Sequence, residues 1–384
     1  MLVQDLGRVV TGKTPSTKNV EYWDGAVPFI TPKDIQGTKH ISKTERCITS
    51  RGLHAVKGSI LPPRSICVSC IGNIGYVGMT NTESVSNQQI NSIVVNENND
   101  VDFVYYLMKS LWGFFKNYEG QSTALSILNK TQFSQIEVDV PDISVQREIA
   151  AALSALDDKI ENNAKINHHL EQMARAIFKS WFVDFEPFGG VRPSDWREGT
   201  LADIASVTMG QSPDGSSYNE SGTGTVFYQG RTDFGSRFPT RRLFTTQPKR
   251  MAIEGDILVS VRAPVGDLNV AAEPCCLGRG LAGIQSKSGN QSFILYTMFA
   301  LKQQLDMFNG EGTVFGSINK NDMATLSVVI PTDEVVQQFE SIVKPMDETI
   351  RNNFDEICHL QAARDTLLPR LMSGELSVAD NAAK

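Results

Sequence analysis

The chain repeats itself, and this constrains its fold more than any other feature. Near the N-terminus it reads Asp5-Leu-Gly-Arg-Val-Val-Thr-Gly12-Lys-Thr-Pro15, and at an offset of 198 it reads Asp203-Ile-Ala-Ser-Val-Thr-Met-Gly210-Gln-Ser-Pro213. Gly58-Ser-Ile-Leu61 recurs as Gly255-Asp-Ile-Leu258. Gly120-x-x-Thr123 with Asn129-Lys130 recurs as Gly310-x-x-Thr313 with Asn319-Lys320, now at an offset of 190. Aligned without gaps, residues 120–178 and 310–368 share 13 identities in 59 positions, where chance gives roughly three or four. A duplicated unit of this size must fold as two similar bodies. Its ends match well and its middle matches poorly.

Each unit divides in two. The first part has short apolar alternations broken by Gly, Pro and Asn, as in Ile66-Cys-Val-Ser-Cys-Ile71, Asn91-Ser-Ile-Val-Val95 and Asp256-Ile-Leu-Val-Ser-Val261. These read as strands, and Phe103 to Phe115 and Phe293 to Met307 read as helices in equivalent places. The second part has a 4,3,4,3 apolar spacing: Ile149, Leu153, Leu156, Ile160, Asn163, Asn167, Leu170, Ala174, Ile177 and Trp181. The other copy gives Phe339, Val343, Met346, Ile350, Asn353, Ile357, Leu360, Arg364, Leu367 and Leu371. That is a coiled-coil seam. The expected fold is α+β: two pseudo-symmetric globular domains joined by two long helices that form an antiparallel coiled coil. The expected boundaries are 1–142, 143–188, 189–334 and 335–384. The expected pairing residues are Leu153, Leu156, Ile160, Asn163, Val343, Met346, Ile350 and Asn353. A buried Asn at the shared seam position fixes register, and the alternative is that Asn163 and Asn353 point to solvent. Pro345 either precedes or kinks the second helix.

The formal net charge of −7 argues mildly against a nucleic-acid partner, but its distribution reverses that inference. Residues 31–64 hold Lys33, Lys39, Lys43, Arg46, Arg51, Lys57 and Arg64 against Asp34 and Glu45. Residues 231–250 hold Arg231, Arg237, Arg241, Arg242, Lys249 and Arg250 against Asp233, with Phe234, Phe238 and Phe244 interleaved. Basic, hydroxyl-rich loops suit phosphate contact, and Arg also reads guanine. The bland alternative is a pair of solvated basic faces. The candidate DNA contacts are Lys33, Lys39, Lys43, Arg46, Arg51, Arg64, Asn73 and Gln88 in the first copy. In the second they are Arg231, Arg237, Arg241, Arg242, Arg262 and Arg279. Gln88-Gln89 and Arg279 follow a turn in equivalent places, with adenine and guanine as their possible partners and a structural role as the alternative.

No catalytic constellation emerges. There is no Gly-x-x-x-x-Gly-Lys-Ser/Thr phosphate loop, no Asn/Asp-Pro-Pro-Tyr tetrapeptide and no Gly-rich dinucleotide loop. Asp184-x-Glu186 reads as a helix terminus before Pro187. His168-His169 and His359 lack metal-ligand companions, and Cys67-x-x-Cys70 reads as strand cysteines or half of a zinc site. Six scattered Cys do not look like a secreted disulfide framework. No run approaches a membrane span and no signal peptide is visible, so a cytoplasmic protein is expected.

The layout resembles the specificity (S) subunit of type I restriction–modification systems. The resemblance rests on the two Gly-Lys/Gln-Thr/Ser-Pro openings, the Ser69-Cys-Ile-Gly-Asn-Ile-Gly75 strand-turn and Pro141-x-x-x-x-Gln146-Arg-Glu-Ile149. Leu156-Asp157…Ile160…Asn163 and Ile177-Phe-Lys-Ser-Trp-Phe182 complete it. The second copy keeps Pro331, Asp347, Ile350 and Asn353 but ends in Leu367-Leu-Pro-Arg-Leu371 and Ser373-Gly-Glu-Leu376. The resemblance implies two target-recognition domains, each reading one half of a bipartite asymmetric site on double-stranded DNA. It implies helices that set the gap and dock two modification (methyltransferase) subunits, with restriction subunits as further partners. S-adenosylmethionine would then belong to the modification subunit, ATP and Mg²⁺ to the restriction subunit, and no cofactor, metal or catalytic residue to this chain. Two other readings are a coiled-coil scaffold with two non-DNA interaction domains and a self-contained DNA-modifying enzyme.

Overall fold

The computed structural model describes residues 1–35, 38–120, 126–310 and 316–377. Thr123 and Thr313, which helped define the repeat, lie outside the described residues. The chain forms two compact units, Met1–Ala164 with Asp355–Lys384, and Lys165–Phe354. Each unit therefore combines one α+β module with part of each long helix, a grouping that differs from the four consecutive segments expected from sequence.

In the first unit the main sheet runs in the order Gly7–Thr11, Ile90–Val95, Ile66–Ser69, Val77–Thr80, His40–Ile41. A second sheet runs Arg46–Ile48, Trp23–Ile30, Ser84–Ser86, Ile60–Leu61. The main sheet is covered on both faces, which explains the unbroken apolar runs. Val9, Ile66, Val68 and Ile93 face the helix Val101–Ser110 through Phe103, Val104 and Leu107. Val10, Cys67 and Ile90 face the other way, onto Ile30, Ile35 and Leu61. Cys67 and Cys70 are thus core residues, and burial pushes both thiols up to about 12.

The second unit repeats the plan. Its main sheet runs Ala205–Met209, Leu281–Ser286, Ile257–Ser260, Leu268–Val270. Its second sheet contains the parallel pair Phe227↔Cys276 and Tyr228↔Leu277, matching Phe29↔Val85 and Ile30↔Ser86 in the first. The repeated Asn-Lys has a local cause. Asn129 and Asn319 each cap a short helix, accepting from the backbone N–H of Gln132 and Asp322. The helices expected over Phe103–Phe115 and Phe293–Met307 are each broken in two. They run Val101–Ser110 and Trp112–Gly120 in one copy, and Gln291–Ala300 and Lys302–Asp306 in the other.

The long helices run Ile143–Phe182 and Asp333–Met372. The first stops short of the expected 188, where Phe185 takes a left-handed φ of 55°. Asp184 then pairs with Lys179 and Glu186 accepts from Ser180 Oγ. The second begins before 335 and continues through Pro345. In the first unit Arg364 pairs with Asp157 at 2.7 Å and Asn163 Nδ2 donates to Glu356 at 2.7 Å. In the second, Asn353 Nδ2 donates to Asn167 Oδ1 at 2.8 Å, Asn167 Nδ2 donates to the Ile350 carbonyl, and Phe178 packs on Phe339. In each unit the partner's number falls as the first helix's number rises, so the segments run antiparallel. Asn163 is 1% exposed and Ile350 is equally buried, while Leu156, Ile160, Met346 and Asn353 are half-buried. Leu153 and Val343 are fully buried within the cores of their own units. Among the described residues, no helix is long and apolar enough to cross a membrane.

Candidate nucleic-acid interface

In each unit four backbone segments meet at one end of the main sheet. In the first unit the strand Gly7–Thr11 exits into Gly12-Lys13-Thr14-Pro15. A Cβ at Gly12 would stand 2.0 Å from the Asn87 carbonyl oxygen, so only glycine permits this approach. Thr14 Oγ1 then donates to Gln88 Oε1 at 2.6 Å, tying the opening to the turn before Ile90–Val95. The strand Ile66–Ser69 exits into a turn with left-handed Gly72 and Gly75. Ser69 Oγ donates to the Asn73 carbonyl and accepts from Tyr76 N–H, which closes the turn and leaves Asn73 exposed at its tip. Residues 126–128 complete the end: Gly72 N–H donates to the Ser126 carbonyl and Leu128 N–H to the Cys70 carbonyl.

The second unit builds the same end. A Cβ at Gly210 would stand 2.1 Å from the Gly278 carbonyl oxygen. Arg279 N–H donates to Ser212 Oγ at 3.2 Å. Ser260 Oγ donates to the Pro264 carbonyl and accepts from Asp267 N–H, as Ser69 does in its own copy. Arg262 bridges to Ser317 and Ala263 N–H donates to the Gly316 carbonyl. Arg262 and Arg279 are exposed, as are Asn73, Gln88 and Lys13.

The basic stretches behave differently from the sequence expectation. Lys39 and Arg237, which correspond at the offset of 198, are 8% and 7% exposed. Lys39 Nζ lies 2.7 Å from Asp102 and donates to Ser154 Oγ on the long helix. Arg237 pairs with Asp347 at 2.5 Å and with Glu171 at 3.4 Å. Each cation also lies over a tyrosine ring, Lys39 at 4.9 Å from Tyr106 and Arg237 at 5.8 Å from Tyr296. Tyr106 donates to Asp157 and Tyr296 donates to Asp347, both at 2.7 Å. These two cations hold their module onto the long helices and are not available to phosphate, which corrects their assignment as DNA contacts. Burial alone would raise the Asp102 carboxyl; the hydrogen bond and charge of Lys39, joined by Arg64, outweigh it and hold that group below its ordinary value.

The remaining candidates lie on the surface, most of them already paired. Arg51 pairs with Glu21 at 2.6 Å, Arg64 with Asp102 at 2.7 Å, and Lys33 approaches Glu45 at 3.9 Å. Arg46 stacks its guanidinium 3.5 Å from the Trp23 ring centroid. Arg231 pairs with Asp267, Arg241 with Glu273, and Arg242 with the buried Asp233. Lys43, Lys57, Lys249, Arg250, Arg262 and Arg279 are exposed. Two features escaped the sequence reading. One is the recurring cation–tyrosine–aspartate cluster, whose members are far apart in sequence. The other is a patch beside the Asn73 turn, where Trp112 packs against Tyr76 and Lys116 lies over the Trp112 ring. The second copy has Asp267, Lys302 and Asp306 at these positions, joined as ion pairs. The duplicated offset was the signal that could have found both.

Comparison with known proteins agrees with this architecture. The family model of the type I restriction modification DNA specificity domain matches residues 2–172 and again 193–358. The chain is 29% identical to the type I restriction enzyme MjaIX specificity subunit of Methanocaldococcus jannaschii, over 98% of this chain and 93% of that one. It is 30% identical to a putative type I restriction enzyme MjaX specificity subunit of the same organism, over 75% and 72%. A crystal structure of the type I restriction-modification system S subunit from M. genitalium shares the fold, with a TM-score of 0.60 at 17% identity, covering 97% of this chain and 95% of that one. The chain belongs to the type I restriction–modification DNA specificity family.

Proposed function

We propose that this chain is the non-catalytic specificity subunit of a type I restriction–modification enzyme. Each α+β module reads one half of a bipartite, asymmetric site on double-stranded DNA. One observation carries this reading: two duplicated modules build the same sheet end from the same backbone contacts, yet present different side chains there. Equal scaffolds with unequal surfaces are what reading two unlike half-sites requires. Lys13, Asn73 and Gln88 belong to the reading surface of the first module, and Arg262 and Arg279 to that of the second. Lys33, Lys43, Arg46, Arg51, Arg64, Arg231, Arg241 and Arg242 act at most as phosphate contacts, since most already have a carboxylate or aromatic partner.

The two long helices form an antiparallel coiled coil that sets the gap between half-sites. Leu156, Ile160, Met346 and Ile350 supply its apolar seam, and Asn163 and Asn353 its register. The helices also dock two modification subunits, which bring S-adenosylmethionine and flip the target adenine. Restriction subunits add ATP- and Mg²⁺-dependent chemistry. The test is to purify the chain with its modification subunit and sequence the methylated DNA. A bipartite motif with a fixed gap is expected, and DNA affinity should fall steeply with salt. Methylation without a bipartite motif, or complexes with no salt-dependent DNA affinity, would favour a scaffold carrying non-DNA domains.

A further inference from the structure

The two reading surfaces differ in a way that bears on which bases they take. This inference rests on the proposed function and extends it to the composition of each half-site. In the second module most arginines are already engaged. Arg192, Arg197, Arg231, Arg237, Arg241 and Arg242 each pair with a carboxylate. Among the described residues Arg250, Arg262 and Arg279 form no ion pair, and the last two stand together at the end of the main sheet. The first module has Ile71 and Gln88 at the corresponding positions, with exposed Asn73 at the tip of the adjoining turn.

The backbone around these residues is fixed. Gly12 and Gly210 approach the neighbouring turn too closely for any Cβ, and the Ser69 and Ser260 hydroxyls lock the second turn in both copies. Such turns hold a long side chain's Cα in place at little entropic cost and leave its tip free for a base edge. An arginine fork matches guanine O6 and N7, whereas a Gln or Asn amide matches adenine N6 and N7.

We infer that the second module takes a half-site with guanine at the bases met by Arg279 and Arg262, and that the first takes adenine at the base met by Gln88. The amide of Gln88 accepts from Thr14 through Oε1, which leaves its NH₂ group to donate to adenine N7. Arg279 is held by its own backbone N–H on Ser212 Oγ, and its exposed side chain forms no ion pair among the described residues.

The test uses the complex with the modification subunit and methylation sequencing of genomic DNA, for the wild type, Arg279→Gln and Gln88→Arg. Arg279→Gln should relax or switch a guanine position in one half-site only, with discrimination there falling roughly 5- to 150-fold. Gln88→Arg should alter an adenine position in the other half-site only. Intact association with the modification subunit, checked by gel filtration, shows that each variant folds. A wild-type bipartite motif that neither variant changes would overturn this inference and leave the proposed function standing. A change in the same half-site for both variants would also overturn it. If the wild type shows no bipartite motif, the proposed function itself fails.

Discussion

At the residue scale, a cation's value depends on where its head group ends. Lys39 and Lys43 lie four positions apart in one basic stretch. Lys39 is buried against Asp102, and Lys43 is exposed. Lys39→Ala should therefore destabilise the chain by about 2–3 kcal/mol in thermal or urea unfolding, less than a wholly buried pair because Asp102 is partly exposed and keeps Arg64. Lys43→Ala should leave stability unchanged and, if Lys43 meets a phosphate, reduce the slope of log affinity against log salt by about 0.9. The Asp102 contribution has a definite pH sign. Its folded pKa lies below the ordinary 3.8, so the stability is fully present above that value and is lost as pH falls through the folded pKa. The gap in stability between wild type and Lys39→Ala should stay constant above about pH 4 and shrink below it, as acid titration of unfolding would show. Composition revealed the local excess of charge but not its destination, because Asp102 and the helix surface that captures Lys39 are distant in sequence.

At the element scale, spacing was informative where burial is one-sided or periodic. The 4,3,4,3 pattern led to both long helices and to their Asn positions, since a seam must recur on one face for as long as a neighbour covers it. Their ends were less legible. The first stops at Phe182, where the chain turns through left-handed Phe185, and no Gly or Pro marks the position until Pro187. Pro345 shows that a breaker need not end a helix: of the two expectations, a helix that begins after it is excluded. It lies within Asp333–Met372, exposed, and lacks the N–H that would bond the Ser341 carbonyl. The first copy has Ala155 there. Pro345→Ala should restore that hydrogen bond and raise stability by about 1–3 kcal/mol, visible as a higher midpoint in thermal unfolding of the full chain. A lower midpoint would mean that packing requires the local helix geometry that proline imposes. Short strands such as His40–Ile41 and Met251–Ala252 were beyond sequence reading, because two residues carry no period.

At the scale of the whole molecule, duplication was the most legible feature, and it organises the candidate site as well as the fold. The offsets of 198 and 190 pair Lys39 with Arg237, Tyr106 with Tyr296 and Asp157 with Asp347, and an offset of 191 pairs Gln88 with Arg279. What duplication conceals is the difference between copies, which is where specificity must lie. In the proposed function, the helix pair sets the distance between the two reading surfaces. Inserting seven residues into each helix at matched positions near Asn163 and Asn353 preserves the seam and lengthens the pair by about 10 Å, close to three base pairs. The decisive measurement is methylation sequencing of complexes carrying this paired insertion. The account predicts the same two half-sites separated by a gap about three base pairs longer; an unchanged gap, in a complex that still assembles and methylates, would contradict it.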